Sequence, residues 1–325
     1  MPIRLRYVTA DVFTDRVFGG NQLAVFPDGR GLDDAQMLAI AREFNFSETT
    51  FVLPAADPAH TRQVRIFTPG GEVPFAGHPT VGTAHVLAAI GEVALDGDET
   101  RVILEEAVGP VPVTIRGSGG TPTFAQLTVA QLPHVGAPPP DRAALAHMLS
   151  LGVDDLLDGT WSPQTVSCGL PFLIVPVRDR AAVARSRIRL EPWEQILGGY
   201  ETQMVYVVAM DPELPGSQVR ARMYAPGISV PEDPATGSAA VALGGYLGAR
   251  DRATEGTLRW VVEQGFEMGR PSLLHVEVDK AAERITAVRV GGASVLVCEG
   301  VMHLPPGAPS GCARGLPLSR MSHQE

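Results

Sequence analysis

Two short strings in this 325-residue chain place a polar residue just ahead of an uncharged run: His78-Pro79-Thr80-Val81-Gly82-Thr83-Ala84 and Asp233-Pro234-Ala235-Thr236-Gly237-Ser238-Ala239. Each reads as the first turn of a helix, with proline at the first helical position and His78 and Asp233 as N-caps. An open helix start presents orphan N–H donors and the positive end of a dipole, a combination suited to a substrate carboxylate. Histidine and aspartate also move protons, whereas serine, threonine or asparagine would serve equally well as caps. Taken singly, Asp233 is an ordinary N-cap and His78 a capping or satisfied core histidine; their occurrence as a pair gives them chemical interest. Glu48, within Phe46-Ser47-Glu48-Thr49-Thr50-Phe51, is the third candidate. Alone it is a strand-start carboxylate facing water. If Phe44, Phe46 and Phe51 also crowd it in space, desolvation raises its pKa toward general acid and base duty. Ser238 lacks a base at suitable spacing and reads as a first-turn donor, and Cys168 as a small buried hydrophobe.

These residues sit in a sequence that repeats itself. Arg65-Ile66-Phe67-Thr68-Pro69-Gly70 precedes the His78 string as Arg222-Met223-Tyr224-Ala225-Pro226-Gly227 precedes the Asp233 string. Glu48-Thr49 has a counterpart in Glu201-Thr202, so three blocks recur in one order at nearly constant separation. That is a duplicated unit, two similar domains in one chain. The runs 79–90 and 234–249 carry no charge, so each must be a buried helix. Short alternating runs around them read as strands at 3–13, 23–27, 50–53, 63–68 and 102–105 in the first half. In the second half they fall at 170–177, 204–209, 219–224, 258–262, 273–278 and 288–299. The fold class expected is α+β, each unit a sheet rolled around one buried helix. An outer helix over 33–44 carries a capping box, Asp33 with Gln36, and an apolar face of Ala35, Leu38, Ala41 and Phe44. Pro and Gly concentrate at 129–141, which divides the chain into units 1–129 and 130–304; residues 305–325 read as a mobile tail.

Composition narrows the chemistry. A net charge of −10 without a basic cluster argues against nucleic acid as a partner. The sole lysine, Lys280, lies between Asp279 and Ala281, so the chain has no Walker motif and no evident lysine for a pyridoxal phosphate Schiff base. Three cysteines without C-x-x-C spacing give neither a disulfide framework nor a zinc site, and fit a reducing cytoplasm. No signal-peptide pattern and no apolar run of membrane-spanning length is present, so no membrane partner is expected. The chemistry expected is side-chain chemistry, with no metal and no cofactor.

The strings GGNQLAVF, IAREFNFSETTFVL, RIFTPGGEVPFAGHPTVGTA, EDPATGSAA and EQGFEMGRPSLL closely resemble the PhzF-like (phenazine biosynthesis) family, related to the diaminopimelate epimerases. The resemblance runs from about Arg6 to Leu304. It implies two pseudosymmetric diaminopimelate-epimerase-like domains, a homodimer, no cofactor and an active site between the domains. It implies a cofactor-independent isomerase acting on a small-molecule carboxylate, with trans-2,3-dihydro-3-hydroxyanthranilate as the best-defined substrate. Glu48 matches the family's general acid and base, His78 its histidine and Asp233 its aspartate. Asn21, Ser47, Gly77, Gly237 and Ser238 match positions around the substrate. The related epimerases use two opposed cysteines; here the corresponding sites are Gly77 and Asp233, which disfavours inversion of a stereocentre. A non-catalytic ligand-binding homologue and an amino-acid epimerase are the competing expectations.

Overall fold

The computed structural model describes residues 3–228 and 230–304. The expected tail 305–325, with Cys312, lies outside the described residues. In chain order the first unit contains β1 (Ile3–Val12), β2 (Asn21–Phe26), α1 (Asp34–Phe44), β3 (Glu48–Leu53), β4 (Arg62–Thr68) and β5 (Gly71–Val73). It continues through α2 (Gly77–Ala89), β6 (Glu99–Glu106), β7 (Gly109–Ser118) and β8 (Thr121–Thr128). After the Pro-rich connection come β9 (His134–Val135), α3 (Arg142–Met148), β10 (Gln164–Ser167), β11 (Pro171–Pro176), α4 (Arg180–Arg185), α5 (Leu190–Leu197) and β12 (Val205–Ala209). Then follow β13 (Val219–Ala225), β14 (Val230–Asp233), α6 (Gly237–Gly248), β15 (Gly256–Gln264), β16 (Ser272–Ala281), β17 (Arg284–Gly292) and β18 (Ser294–Leu304).

The duplication read from sequence holds strand by strand. β1–β2 is antiparallel, β2–β3 parallel, β3–β4 antiparallel, β4–β6 parallel, and β6–β7–β8 antiparallel. β10–β11, β11–β12, β12–β13, β13–β15 and β15–β16–β17 repeat those senses in that order. The short returns β5 and β14 pair antiparallel to β4 and β13 and lead into the two helices. β8 and β17 pair with one another, so the two rolls share one continuous sheet and one continuous core. β18 follows the second roll in sequence yet pairs along its length with β1, Ile3 opposite Leu304 and Val12 opposite Ser294. The run 288–299, expected as one strand, is therefore parts of two, because the chain leaves β17 at Gly292 and enters β18 at Ser294.

Each roll wraps its uncharged helix. Every residue from Gly77 to Ala88 of α2 is buried, and in α6 every residue but Ser238. With no charged side chain to place in water, a helix of this composition is stable only when strands surround it. Helix α1 covers the outside of the first roll and has the capping box expected of Asp33 and Gln36. Its buried face differs from the expected one: Met37, Ile40 and Ala41 face inward, whereas Ala35 is exposed. Helices α3, α4 and α5 cover the second roll over a separate apolar cluster. No helix among the described residues is long and apolar enough to cross a membrane.

Candidate active site

Two hairpins deliver the chain to the two helix starts, each braced by an arginine fork. Arg65 binds Glu72 through Nε (2.8 Å) and Nη2 (2.6 Å), joining β4 to β5. Arg222 binds Glu232 through the same two atoms, both at 2.7 Å, joining β13 to β14. The helices then begin at Gly77 and Gly237, with Ala76 and Thr236 as N-caps, neither of which makes a side-chain cap bond. His78 and Asp233 are thus not the caps: His78 lies inside the first turn, and Asp233 ends β14. Pro79 is the third helical residue and Pro234 precedes α6, because the backbone enters the helical conformation at the glycines. With no side chain capping them, the first-turn N–H groups of both helices stay open to an anion.

The helix starts meet almost end to end. A Cβ added to Gly77 would lie 2.8 Å from Gly237 Cα and from Ser238 N, and one added to Gly237 would lie 3.1 Å from Gly77 Cα. Only glycine permits this approach. A cavity of about 240 Å³ opens beside the contact, between the rolls. Its polar wall carries Ser47, Glu48, His78, Asp233, Thr236 and Ser238; Phe172, Met204, Met223 and Ile228 belong to its apolar wall. Glu48, His78, Asp233, Ser47, Gly77, Gly237 and Ser238 therefore border one space, and Asn21 stands behind it.

Inside this space His78 Nε2 and Glu48 Oε2 face each other at 3.4 Å, and neither atom has a hydrogen-bond partner. Asn21 orders the opposite side. Its Nδ2 donates to Asp233 Oδ1 (2.9 Å) and to the Ala235 carbonyl (2.9 Å), with His78 Nδ1 at 3.2 Å. Two amide hydrogens satisfy the two nearer oxygens and none is left for His78 Nδ1, which therefore carries the ring hydrogen itself. Nε2 is then the bare nitrogen facing Glu48. Burial holds the His78 imidazole neutral, its pKa pushed down to about 3. Burial and, secondarily, the charge of Asp233 push the Glu48 carboxyl well above the usual range. Burial also raises Asp233, to about 6, against the opposing effect of hydrogen bonds from Thr236, Asn21 and Ser47. No donor meets Glu48 Oε2, whereas both oxygens of Asp233 accept hydrogen bonds.

The direction of the Glu48 shift matches the sequence expectation, but its physical cause differs. β3 alternates, so Thr50 points inward to Thr83 of α2 (2.9 Å) while Phe51 points outward into the aromatic stack under α1. Phe44 and Phe46 pack against each other, with Phe44 also against Tyr7 and Phe26. Glu48 lies on the Thr50 side, enclosed by the cleft rather than by phenylalanines. Its repeat partner Glu201 is exposed and serves the connection, accepting the Ala137 N–H at 2.5 Å. Cys168 lies in the cavity wall, where burial pushes its thiol up to about 12. Lys280 is buried at the end of β16 and donates to the Asp251 carbonyl (3.0 Å).

A match to the phenazine biosynthesis-like protein family covers residues 10–300. This chain belongs to that family. Over 301 residues it is 38% identical to an uncharacterized isomerase of Mesorhizobium japonicum, covering 92% of this chain and 98% of that one. It is 34% identical over 301 residues to the trans-2,3-dihydro-3-hydroxyanthranilate isomerase of Pseudomonas aeruginosa, covering 92% and 99%. The crystal structure of the Bacillus anthracis PhzF-family phenazine biosynthesis protein superposes with a TM-score of 0.83 at 25% identity, covering 92% and 99%. As a member of this phenazine biosynthesis-like family, the protein is an isomerase, with the pseudosymmetric two-roll fold of its relatives.

Several residues of the site escaped sequence reasoning. Gln264, at the end of β15, and Thr236 bind Asp233 from behind. Arg270 ties the loop ahead of Asn21 to the loop beyond Gln264, donating through Nε to the Gly20 carbonyl (2.8 Å) and through Nη2 to Asp11 Oδ1 (2.5 Å). Both Gln264 and Arg270 lie in the string EQGFEMGRPSLL, the one signal that pointed to them. Glu106, the last residue of β6, is buried beneath the first turn of α2. Its Oε1 lies 2.5 Å from Thr80 Oγ1, which also lies 2.7 Å from the Ala76 carbonyl. One hydroxyl hydrogen cannot serve both oxygens, and a Glu106 that keeps its own proton satisfies the pair. Burial pushes that carboxyl up to about 8.

Proposed function

We propose that this isomerase moves a proton along a small carboxylated substrate using side chains alone, with trans-2,3-dihydro-3-hydroxyanthranilate as its best-defined candidate. The observation that carries the reading is the buried, unpartnered pair Glu48 Oε2 and His78 Nε2, 3.4 Å apart beside two open helix starts. The first-turn N–H groups at Gly77, Gly237 and Ser238 suit a carboxylate, and the apolar wall suits a carbon ring. At rest the proton sits on Glu48. A substrate carboxylate at the helix starts favours a positive His78, so the Glu48 proton passes to Nε2 and leaves a carboxylate base. Glu48 then takes the proton from C3; the C–H electron pair forms C3=C4, the C4=C5 pair moves to C5=C6, and the C6=C1 pair takes the proton back from Glu48 at C1, leaving an enol at C3. His78 and Asp233 hold and polarise the substrate's amino and hydroxyl groups. One carboxyl serving both ends keeps the proton on one face, which makes the reaction an isomerisation rather than an inversion.

The test is turnover of that substrate in D₂O, followed by absorbance and mass spectrometry, with Glu48→Gln alongside. The wild type converts it, and the variant loses roughly 10²–10⁴-fold in kcat while still binding ligand. Equal turnover by the variant removes Glu48 as the proton carrier. A folded wild type that binds this carboxylate without converting it removes the substrate assignment.

A further inference from the structure

Behind Asp233 runs a chain of buried polar groups that the proton shift does not touch. Tyr206 on β12 and Gln264 are both fully buried, and the Tyr206 hydroxyl donates to Gln264 Oε1 (3.0 Å). Gln264 Nε2 donates to the Asp233 carbonyl (2.8 Å) and to Thr236 Oγ1 (2.9 Å), and Oε1 accepts the Thr236 N–H (3.3 Å). An amide side chain has the same shape either way round, so its partners must fix its direction. Here backbone groups fix both ends: the Asp233 carbonyl only accepts, and the Thr236 N–H only donates. Thr236 Oγ1 therefore receives a hydrogen from Gln264, and its own single hydrogen is left for Asp233 Oδ2, 2.5 Å away. The other carboxyl oxygen, Oδ1, accepts from Asn21 Nδ2 (2.9 Å) and Ser47 Oγ (3.2 Å). Asp233 thus meets donors on both oxygens, whereas Glu48 Oε2 meets none.

We propose that Gln264 is a positioning residue: by turning the Thr236 hydroxyl onto Asp233, it holds Asp233 as the charged acceptor of the site and leaves the proton on Glu48. The proposal rests on Glu48 being the proton carrier, but it predicts a property of the resting protein that is measurable without substrate. The chain has a built-in direction, Tyr206 to Gln264 to Thr236 to Asp233, and each donor in it is fully committed. Satisfied buried networks of this kind are rigid and sensitive to the loss of any member.

The test is a carbon-13 titration of the Asp233 and Glu48 carboxyls in the full-length protein, where each carboxyl carbon reports its own protonation. In the wild type Asp233 titrates below Glu48. Gln264→Met frees the Thr236 hydroxyl to turn away, so the Asp233 midpoint rises by about one to two pH units, the worth of a hydrogen bond to a charged group. Thr236→Val gives a similar rise, and Thr236→Ser, which keeps the hydroxyl, stays near wild type. The other titratable groups near Asp233, namely Glu48, His78, Tyr206, and Glu232 held by Arg222, are retained in all three variants; Gln264→Met also removes the acceptor of the Tyr206 hydroxyl, which both Thr236 variants keep. An unmoved Asp233 midpoint in folded Gln264→Met overturns the proposal, as does a rise in Thr236→Ser equal to that in Thr236→Val. If Gln264→Met does not fold, the two Thr236 variants decide the matter alone. A null result for Glu48→Gln in turnover would instead strike the proton-carrier reading and leave the titration interpretable.

Discussion

Glu106 offers the cleanest link between one buried group and the stability of the whole protein. Its carboxyl is raised from 4.5 to about 8, with burial the main cause and the Thr80 contact opposing it. A carboxyl whose pKa is higher folded than unfolded favours folding below the unfolded value and withdraws that support as pH rises through the folded one. The window therefore runs from pH 4.5 to about 8. At about 1.4 kcal/mol for each tenfold change in proton affinity, the full displacement is worth about 5 kcal/mol. Water entering beside an ionised Glu106 would reduce this, so the expected loss is about 2–5 kcal/mol. Glu106→Gln retains the shape and an N–H for Thr80 Oγ1 but cannot ionise. Urea unfolding at pH 4.5, 7 and 9 should show the variant equal to the wild type at the lowest pH and more stable by about 2–5 kcal/mol at the highest. The difference between the two proteins isolates Glu106 from Glu48 and Asp233, which titrate in both. A difference that stays constant with pH would refute the reasoning, since a residue already ionised at pH 4.5 contributes no slope.

Two further expectations test the frame around the site. Gly77→Ala places a methyl 2.8 Å from Gly237 Cα; the helix starts must part by several tenths of an ångström, costing about 1–3 kcal/mol and roughly tenfold or more in turnover. A variant with unaltered melting temperature and kcat would show that the contact is not tight. Arg222 is 4% exposed and Arg65 22%, so the same fork removed by Arg→Met should cost about 3–5 kcal/mol at 222 and about 1 kcal/mol at 65. Equal losses in urea unfolding would count against burial as the cause.

The repeat made the large features legible, since two uncharged runs of helical length have few places to go except the centre of a roll. It also located both helix starts, because duplicated strings mark equivalent places. Their exact beginnings were not legible: proline at the first helical position is a tendency, and here glycines start the turns on either side of it. β7 and β8 were hidden for a related reason. Pro110 and Pro112 interrupt the run Gly109–Ser118, a pattern that demotes a strand, yet Val111, Val113 and Ile115 still alternate inward. Glu48 was found, but adjacency in sequence misassigned its surroundings, since neighbours in a strand point to opposite faces. Asn21 and Ser47 entered only through family resemblance. Gln264 and Thr236 carry no chemical signature of their own; their importance comes from a hydrogen-bond direction that exists only once β14, α6 and β15 are assembled.

The pairing of β18 with β1 bears on the order in which the protein can be made. In the second copy of the unit, β9 precedes β10 and pairs with it; in the first copy the equivalent leading strand is β18, at the other end of the chain. A ribosome adding roughly 5–20 residues per second releases domains from the N-terminus onward, but here the first roll stays open until nearly everything else has been synthesised. Through that interval β1 exposes a bare hydrogen-bonding edge, the kind of surface that recruits wrong partners. Severing the chain in the Pro-rich connection would accordingly not yield two autonomous halves, although their sequences look like two copies of one. Closing the first roll therefore requires a pairing between opposite ends of the described chain, Ile3 with Leu304.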